Sequence, residues 1–168
     1  MSETPHVILL YPKTGMDFGS TVAPPHALLS IAAPILAAGY KVRLLDQRES
    51  PITKETLEEL ISSELLCVGV SAMTGTQIRN AISLTDYVRQ LTDGSVPIVW
   101  GGCHPSVTPQ QTLEDDNVDI VVRGEGELPF LGLVKALDAK SGFGGIPGLV
   151  YMDGTEVVNS GEAEFLDV

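Results

Sequence analysis

A chain of 168 residues, 43% hydrophobic and 19% charged, is long enough to bury one core and too ordinary in composition for a disordered or fibrous protein. Its net charge of −12, with ten Lys and Arg scattered singly, excludes the basic surface that nucleic acid or an anionic membrane would need. No apolar run reaches the roughly twenty residues that cross a bilayer, and two cysteines support neither a disulfide framework nor a metal cluster.

Met1–Pro5 lead directly into an apolar run and carry no basic n-region of a signal peptide, so a cytoplasmic location is expected. That run, Val7–Leu10, lacks polar alternation, which suits a strand covered on both faces. A long loop reaches Pro24-Pro25. Leu28, Ile31, Ala32, Ile35 and Leu36 then recur at helical spacing, with Gly39 as the stop. Pro34 lies inside this stripe and predicts a kink or an early break. Val42–Leu45 forms the second strand. Thr53 is placed to cap a helix that buries Leu57, Leu60 and Ile61 and turns Glu55, Glu58 and Glu59 to solvent. Leu65–Val70 is the third strand, with Cys67 as a buried thiol. The helix from Gln77 to Leu91 presents Ile78, Ile82, Thr85 and Val88. Ile98–Trp100, a short helix over Pro105–Leu113, and Ile120–Val122 follow. A last helix carries Leu128, Leu131, Val134 and Leu137.

This alternation predicts an α/β fold: a doubly wound, flavodoxin-like (Rossmann-like) five-stranded parallel sheet, order 2-1-3-4-5, with helices on both faces. Residues 1–145 make up that domain. Residues 146–168 add a C-terminal β-hairpin, signalled by Asp153-Gly154 between two apolar runs, and a linker over Ser160–Val168.

Ligands of open parallel sheets bind beyond the carboxyl ends of the strands. Those ends here are Pro12-Lys-Thr-Gly, Asp46-Gln-Arg-Glu-Ser, Ser71-Ala-Met-Thr-Gly-Thr-Gln, Gly101-Gly-Cys-His-Pro-Ser and Arg123-Gly-Glu-Gly-Glu. Glycine lets backbone approach a large ligand, and small hydroxyls add donors without bulk. The first end carries neither the Gly-x-Gly-x-x-Gly of a dinucleotide site nor a P-loop. Pro12-Lys13 stands where a phospho-receiver would place acidic residues. An FMN site would need a hydroxyl-rich loop there, of which Thr14-Gly15 is a thin version, while Thr74-Gly75-Thr76 follows the third strand.

At these ends the chain resembles the cobalamin-binding domain that precedes the catalytic domain in B12-dependent radical SAM enzymes. The matching stretches are Pro25–Ala33, Val68–Gly75, Val99–Ser106 and Val118–Glu127, and Ile146–Asp153 is similar to the hairpin that follows in such proteins. The resemblance implies a cofactor-binding set. Ser71 and Met73 match the Ser-x-Leu element that lines the pocket for the nucleotide tail. Gly101-Gly102 match the Gly-Gly element beneath the corrin. Thr74, Gly75 and Gln77 would lie near the ring, and His104 with the Gly124–Glu127 turn, Gly124 and Glu125 foremost, would complete the rim. Arg123 would either anchor a corrin propionamide or pair with the neighbouring glutamates.

One departure matters. Domains that ligate cobalt use Asp-x-His-x-x-Gly after the second strand, whereas this chain keeps Asp46 but has Arg48 for His and Pro51 for Gly. A guanidinium has no lone pair to donate. The implied state is therefore cobalamin held base-off, without a histidine below the metal. A module that kept the fold and lost the cofactor is the alternative reading, and an FMN-binding flavodoxin-like protein is a third.

The Cys-x-x-x-Cys-x-x-Cys signature of a radical SAM cluster is absent, and no nucleophile stands beside a base. The chain is expected to bind rather than catalyse. S-adenosylmethionine and a 4Fe-4S cluster would belong to a missing radical SAM domain, a partner in the same longer chain or a separate one, that acts as methyltransferase or cyclase.

Overall fold

The structure is a computed structural model that describes residues 4–15 and 23–163. Residues 16–22 of the loop before Pro24 and residues 164–168 of the expected linker lie outside the described residues. Five strands, β1 (Val7–Tyr11), β2 (Val42–Asp46), β3 (Cys67–Ser71), β4 (Ile98–Gly101) and β5 (Ile120–Val122), pair in parallel in the order β2-β1-β3-β4-β5. The expected strand order holds. The hairpin strands β6 (Leu149–Asp153) and β7 (Glu156–Asn159) do not stand apart from it: β6 pairs antiparallel with β5, so one sheet runs through seven strands.

Side chains alternate between the faces of a strand, and each face here is apolar, so the sheet supports two cores. Ile8, Leu10, Val68, Val70, Ile98, Trp100 and Val121 face α2 (Lys54–Glu58) and α3 (Thr76–Thr92). Val7, Leu9, Cys67, Val99, Ile120 and Val122 face α1 (His26–Ala37) and α6 (Glu127–Asp138). The Thr53 hydroxyl caps α2 by accepting from the Thr56 N–H, and Leu60 and Ile61 reach the first core from just beyond that helix.

Several local expectations are corrected. Pro34 does not break α1, which runs on to Ala37, because the residue forgoes only the bond to Ser30 while Ala38 N–H still finds the Pro34 carbonyl. Leu36 and Leu128 belong to no core, being 54% and 50% exposed. The buried stripe of α6 is instead Phe130, Leu133 and Val134, turned so that the aromatic ring lies over β3. The single short helix expected after β4 is two, α4 (Cys103–Val107) and α5 (Pro109–Thr112). In the hairpin, Asp153 pairs with Glu156, so the two-residue turn is Gly154-Thr155, with φ +61° at Gly154 as a type II′ turn requires. Among the described residues no helix is long and apolar enough to cross a membrane.

Cys67 lies fully buried between α1, α6 and the sheet, and burial pushes its thiol up to about 12. Cys103 is exposed. With iodoacetamide at neutral pH, mass spectrometry is expected to find Cys103 alkylated and Cys67 untouched until denaturant is added.

Candidate ligand-binding cavity at the carboxyl edge of the sheet

On the face that meets α1 and α6, the strand register aligns Leu9 with Gly69 and Gly69 with Val99. Two residues further along, Ser71 aligns with Gly101. Gly69, Ser71 and Gly101 are thus consecutive small residues on one face, and the packed layer of side chains thins where they meet. A cavity of about 270 Å³ fills that gap. Leu28 and Ile31 of α1 and Phe130 of α6 cover it, while exposed Ala27, Ser30, Gly124 and Glu125 mark its mouth. A methyl group at Gly69 would lie 2.7 Å from Leu9 Cδ2 and 2.9 Å from the Phe130 ring, so these two side chains pack down onto the glycine backbone and form the floor of the cavity.

The rim is tied together by backbone. Ala72 N–H donates to the Gly101 carbonyl at 2.8 Å, and His104 N–H returns a bond to the Ala72 carbonyl at 3.2 Å. Gly102 sits at φ +99°, ψ −171°, where a methyl group would meet the Ala72 carbonyl at 2.9 Å; both the angle and the clash demand glycine. Ser106 Oγ donates to the Gly102 carbonyl at 2.8 Å and accepts from Gly124 N–H at 3.0 Å, so one hydroxyl joins the β4–α4 and β5–α6 loops.

Of the residues expected at the site, Ser71, Gly101, Gly102, Gly124 and Glu125 line the cavity. Among the described residues the Ser71 hydroxyl has no protein partner. Met73, Thr74 and Gly75 are exposed on the β3–α3 loop, with Thr74 Oγ1 3.4 Å from His104 Nδ1. Gln77 is buried away from the cavity; its side chain accepts from Met73 N–H at 2.7 Å and donates to the Pro12 carbonyl at 2.8 Å, fastening the loops after β3 and β1 together. The deep lining, Leu9, Gly69, Val99 and Phe130, and the linking role of Ser106 lie outside what the sequence pattern predicts. A glycine in the middle of the apolar run Leu65–Val70 is the signal that could have found it.

At the end of β2 the departure in the motif has a structural counterpart. Arg48 Nη2 meets Asp46 Oδ2 at 2.6 Å and Nε meets Oδ1 at 3.0 Å, and the Arg48 N–H also donates to Oδ1 at 2.9 Å. The guanidinium donates to the Ala23 carbonyl at 2.9 Å and stacks 4.2 Å from the Tyr11 ring centroid. A planar fork matched to a buried carboxylate holds both side chains in place. Arg123, by contrast, makes no ion pair with Glu125 or Glu127 among the described residues, and its Nε is buried without a hydrogen-bond partner.

The family model of the B12 binding domain matches residues 19–134. The chain is 29% identical over 154 residues to an anaerobic magnesium-protoporphyrin IX monomethyl ester cyclase of Synechocystis sp., an alignment covering 89% of this chain and 30% of that protein. It is 30% identical over 141 residues to an uncharacterized methyltransferase of Pyrococcus horikoshii, covering 83% of this chain and again 30% of the relative. Its fold superposes, with a TM-score of 0.79 and 23% identity, on 99% of this chain and 30% of the radical S-adenosylmethionine methyltransferase TsrM from Kitasatospora setae, solved with cobalamin and a 4Fe-4S cluster bound. The chain therefore spans about 30% of the length of each of these proteins.

Replacing Ser106 by Ala leaves the Gly102 carbonyl and the Gly124 N–H without their shared partner. The expected loss is about 0.5–1.5 kcal/mol in urea unfolding, with the far-ultraviolet circular dichroism unchanged.

Proposed function

The chain belongs to the B12-binding domain family, and from that premise we propose that it holds cobalamin base-off, without a histidine ligand, as the cofactor domain of a radical SAM methyltransferase or cyclase. The observation that carries this reading is the cavity. At about 270 Å³ it lies below the roughly 300 Å³ at which pockets begin to take whole drug-sized ligands. It suits a narrow appendage such as a nucleotide tail, while a corrin macrocycle would have to stay outside, above the strand ends.

Ser71, Gly101 and Gly102 would hold that tail, and the loops bearing Met73, Thr74, Gly75, His104, Gly124 and Glu125 would border the ring. The chemistry fits: the corrin periphery is a ring of neutral amides, for which backbone groups and hydroxyls are the suitable partners. When bound, cobalamin supplies a cobalt centre able to carry a methyl group or an electron. The chain's own part is to bind and orient the cofactor. Arg48 supports the histidine-off state, since its only nitrogens are protonated and are engaged by Asp46 and the Ala23 carbonyl. S-adenosylmethionine and the iron–sulfur cluster would be held by a catalytic domain, in the same chain or a separate one.

Hydroxocobalamin mixed with the purified chain and desalted is expected to leave corrin absorbance with the protein, and a colourless protein would defeat the reading. Ser71→Phe, which closes the mouth from an unstrained position, is expected to abolish retention while circular dichroism stays native. Bound cob(II)alamin should show no nitrogen splitting in its EPR spectrum; a histidine-type splitting overturns the ligation state.

A further inference from the structure

We infer that the cavity discriminates by the base at the end of the tail, accepting an apolar benzimidazole or phenol and rejecting a purine. This rests on the cobalamin reading above and adds a property of the deep end. Leu9, Gly69 and Val99 form a row two residues short of the ends of their strands at Tyr11, Ser71 and Gly101. At about 3.3 Å per residue, that row lies roughly 7 Å below the mouth. The Phe130 ring packs directly on Gly69, and Leu28 is the other buried side chain that covers the cavity from the helices. Nothing at that depth is a polar side chain.

The backbone N–H donors there are taken as well. β1, β3 and β4 each have a paired strand on both sides, so their N–H and C=O groups are consumed by the ladders. Phe130 N–H is likewise taken by the Gly126 carbonyl at 2.8 Å. The polar groups that line the cavity, on Ser30, Ser71, Glu125 and Glu127, sit around its entrance.

Benzimidazole and adenine tails both carry a nitrogen-bearing five-membered ring next to the sugar. They differ in the six-membered ring that goes in first. In dimethylbenzimidazole that ring is hydrocarbon; in adenine it carries an amino group and two acceptor nitrogens. Buried against Leu9, Val99 and Phe130, those groups would lose water and gain no partner, which costs about tenfold or more in affinity. A cresol tail brings no nitrogen at all.

The test is equilibrium dialysis of the chain against four corrinoids sharing one corrin, with retained corrinoid read by its absorbance: dimethylbenzimidazolyl, p-cresolyl, adeninyl, and tail-less cobinamide. Each Kd is corrected for the base-off fraction of the free corrinoid. The expected result is that the first two bind at least about tenfold more tightly than the adeninyl form. Val99→Thr, which places a hydroxyl at the deep end with nearly unchanged volume, should narrow that gap by improving adeninyl binding. Adeninyl binding as tight as the benzimidazolyl form overturns the selectivity and leaves the cobalamin reading standing. Cobinamide binding as tightly as all three overturns the placement of the tail, and failure of every corrinoid to bind overturns the cobalamin reading itself.

Discussion

A parallel strand in the middle of a doubly wound sheet has to offer hydrocarbon to both of its faces, and β3 does so on only one. Toward α2 and α3 it presents Val68 and Val70, buried in a continuous core. Toward α1 and α6 it presents Cys67, then Gly69 and Ser71. Protein interiors close to crystal density when side chains interdigitate; Leu9 and Phe130 close down onto Gly69, and beyond them, at Ser71, the layer thins. The remaining features of the site serve this gap. Gly101 extends it into β4, α1 and α6 cover it, and the loops joined by Ser106 frame its opening.

The other end of the same sheet edge is built on the opposite principle. Where β3 leaves room, β2 ends in a filled and neutralised knot of Asp46, Arg48 and Tyr11. The Asp46 side chain is 3% exposed, and a carboxylate that buried needs a partner close by. Arg48 is that partner, two residues away, and the ring of Tyr11 accepts the flat face of its guanidinium. Asp46 is thus satisfied within its own turn.

Much of this architecture was legible in the sequence, because short apolar runs without alternation, separated by helical stripes, suit strands covered on both sides. The five runs, their order and the edge that carries glycine all followed. What stayed hidden depends on information that one-dimensional patterns lack. The helical stripe of α6 reads equally well through Leu128 or through Phe130, and only the vacancy over Gly69 selects the second. Pro34 reads as a breaker, yet near the end of a helix its missing N–H removes a single bond. The strand ends displayed Ser71 and the Gly101-Gly102 pair, but the deep row Leu9, Gly69, Val99 emerges only from the register between strands that are distant in sequence. Gln77 also clasps two loops, a role that needs Pro12 to be seen beside it.

The hairpin has a consequence for how the domain meets its surroundings. Without β6 and β7, the three-residue strand β5 would be the border of the sheet, with Val122 in the cavity wall and an open row of amides beside it. Strands lie about 4.8 Å apart, so two more strands move the unsatisfied border roughly 10 Å outward. Edge strands attract other chains, and Val157 on β7 is 44% exposed. Self-association of the purified domain through that border would therefore be invisible to a ligand titration, and each copy in such an aggregate would keep its cavity.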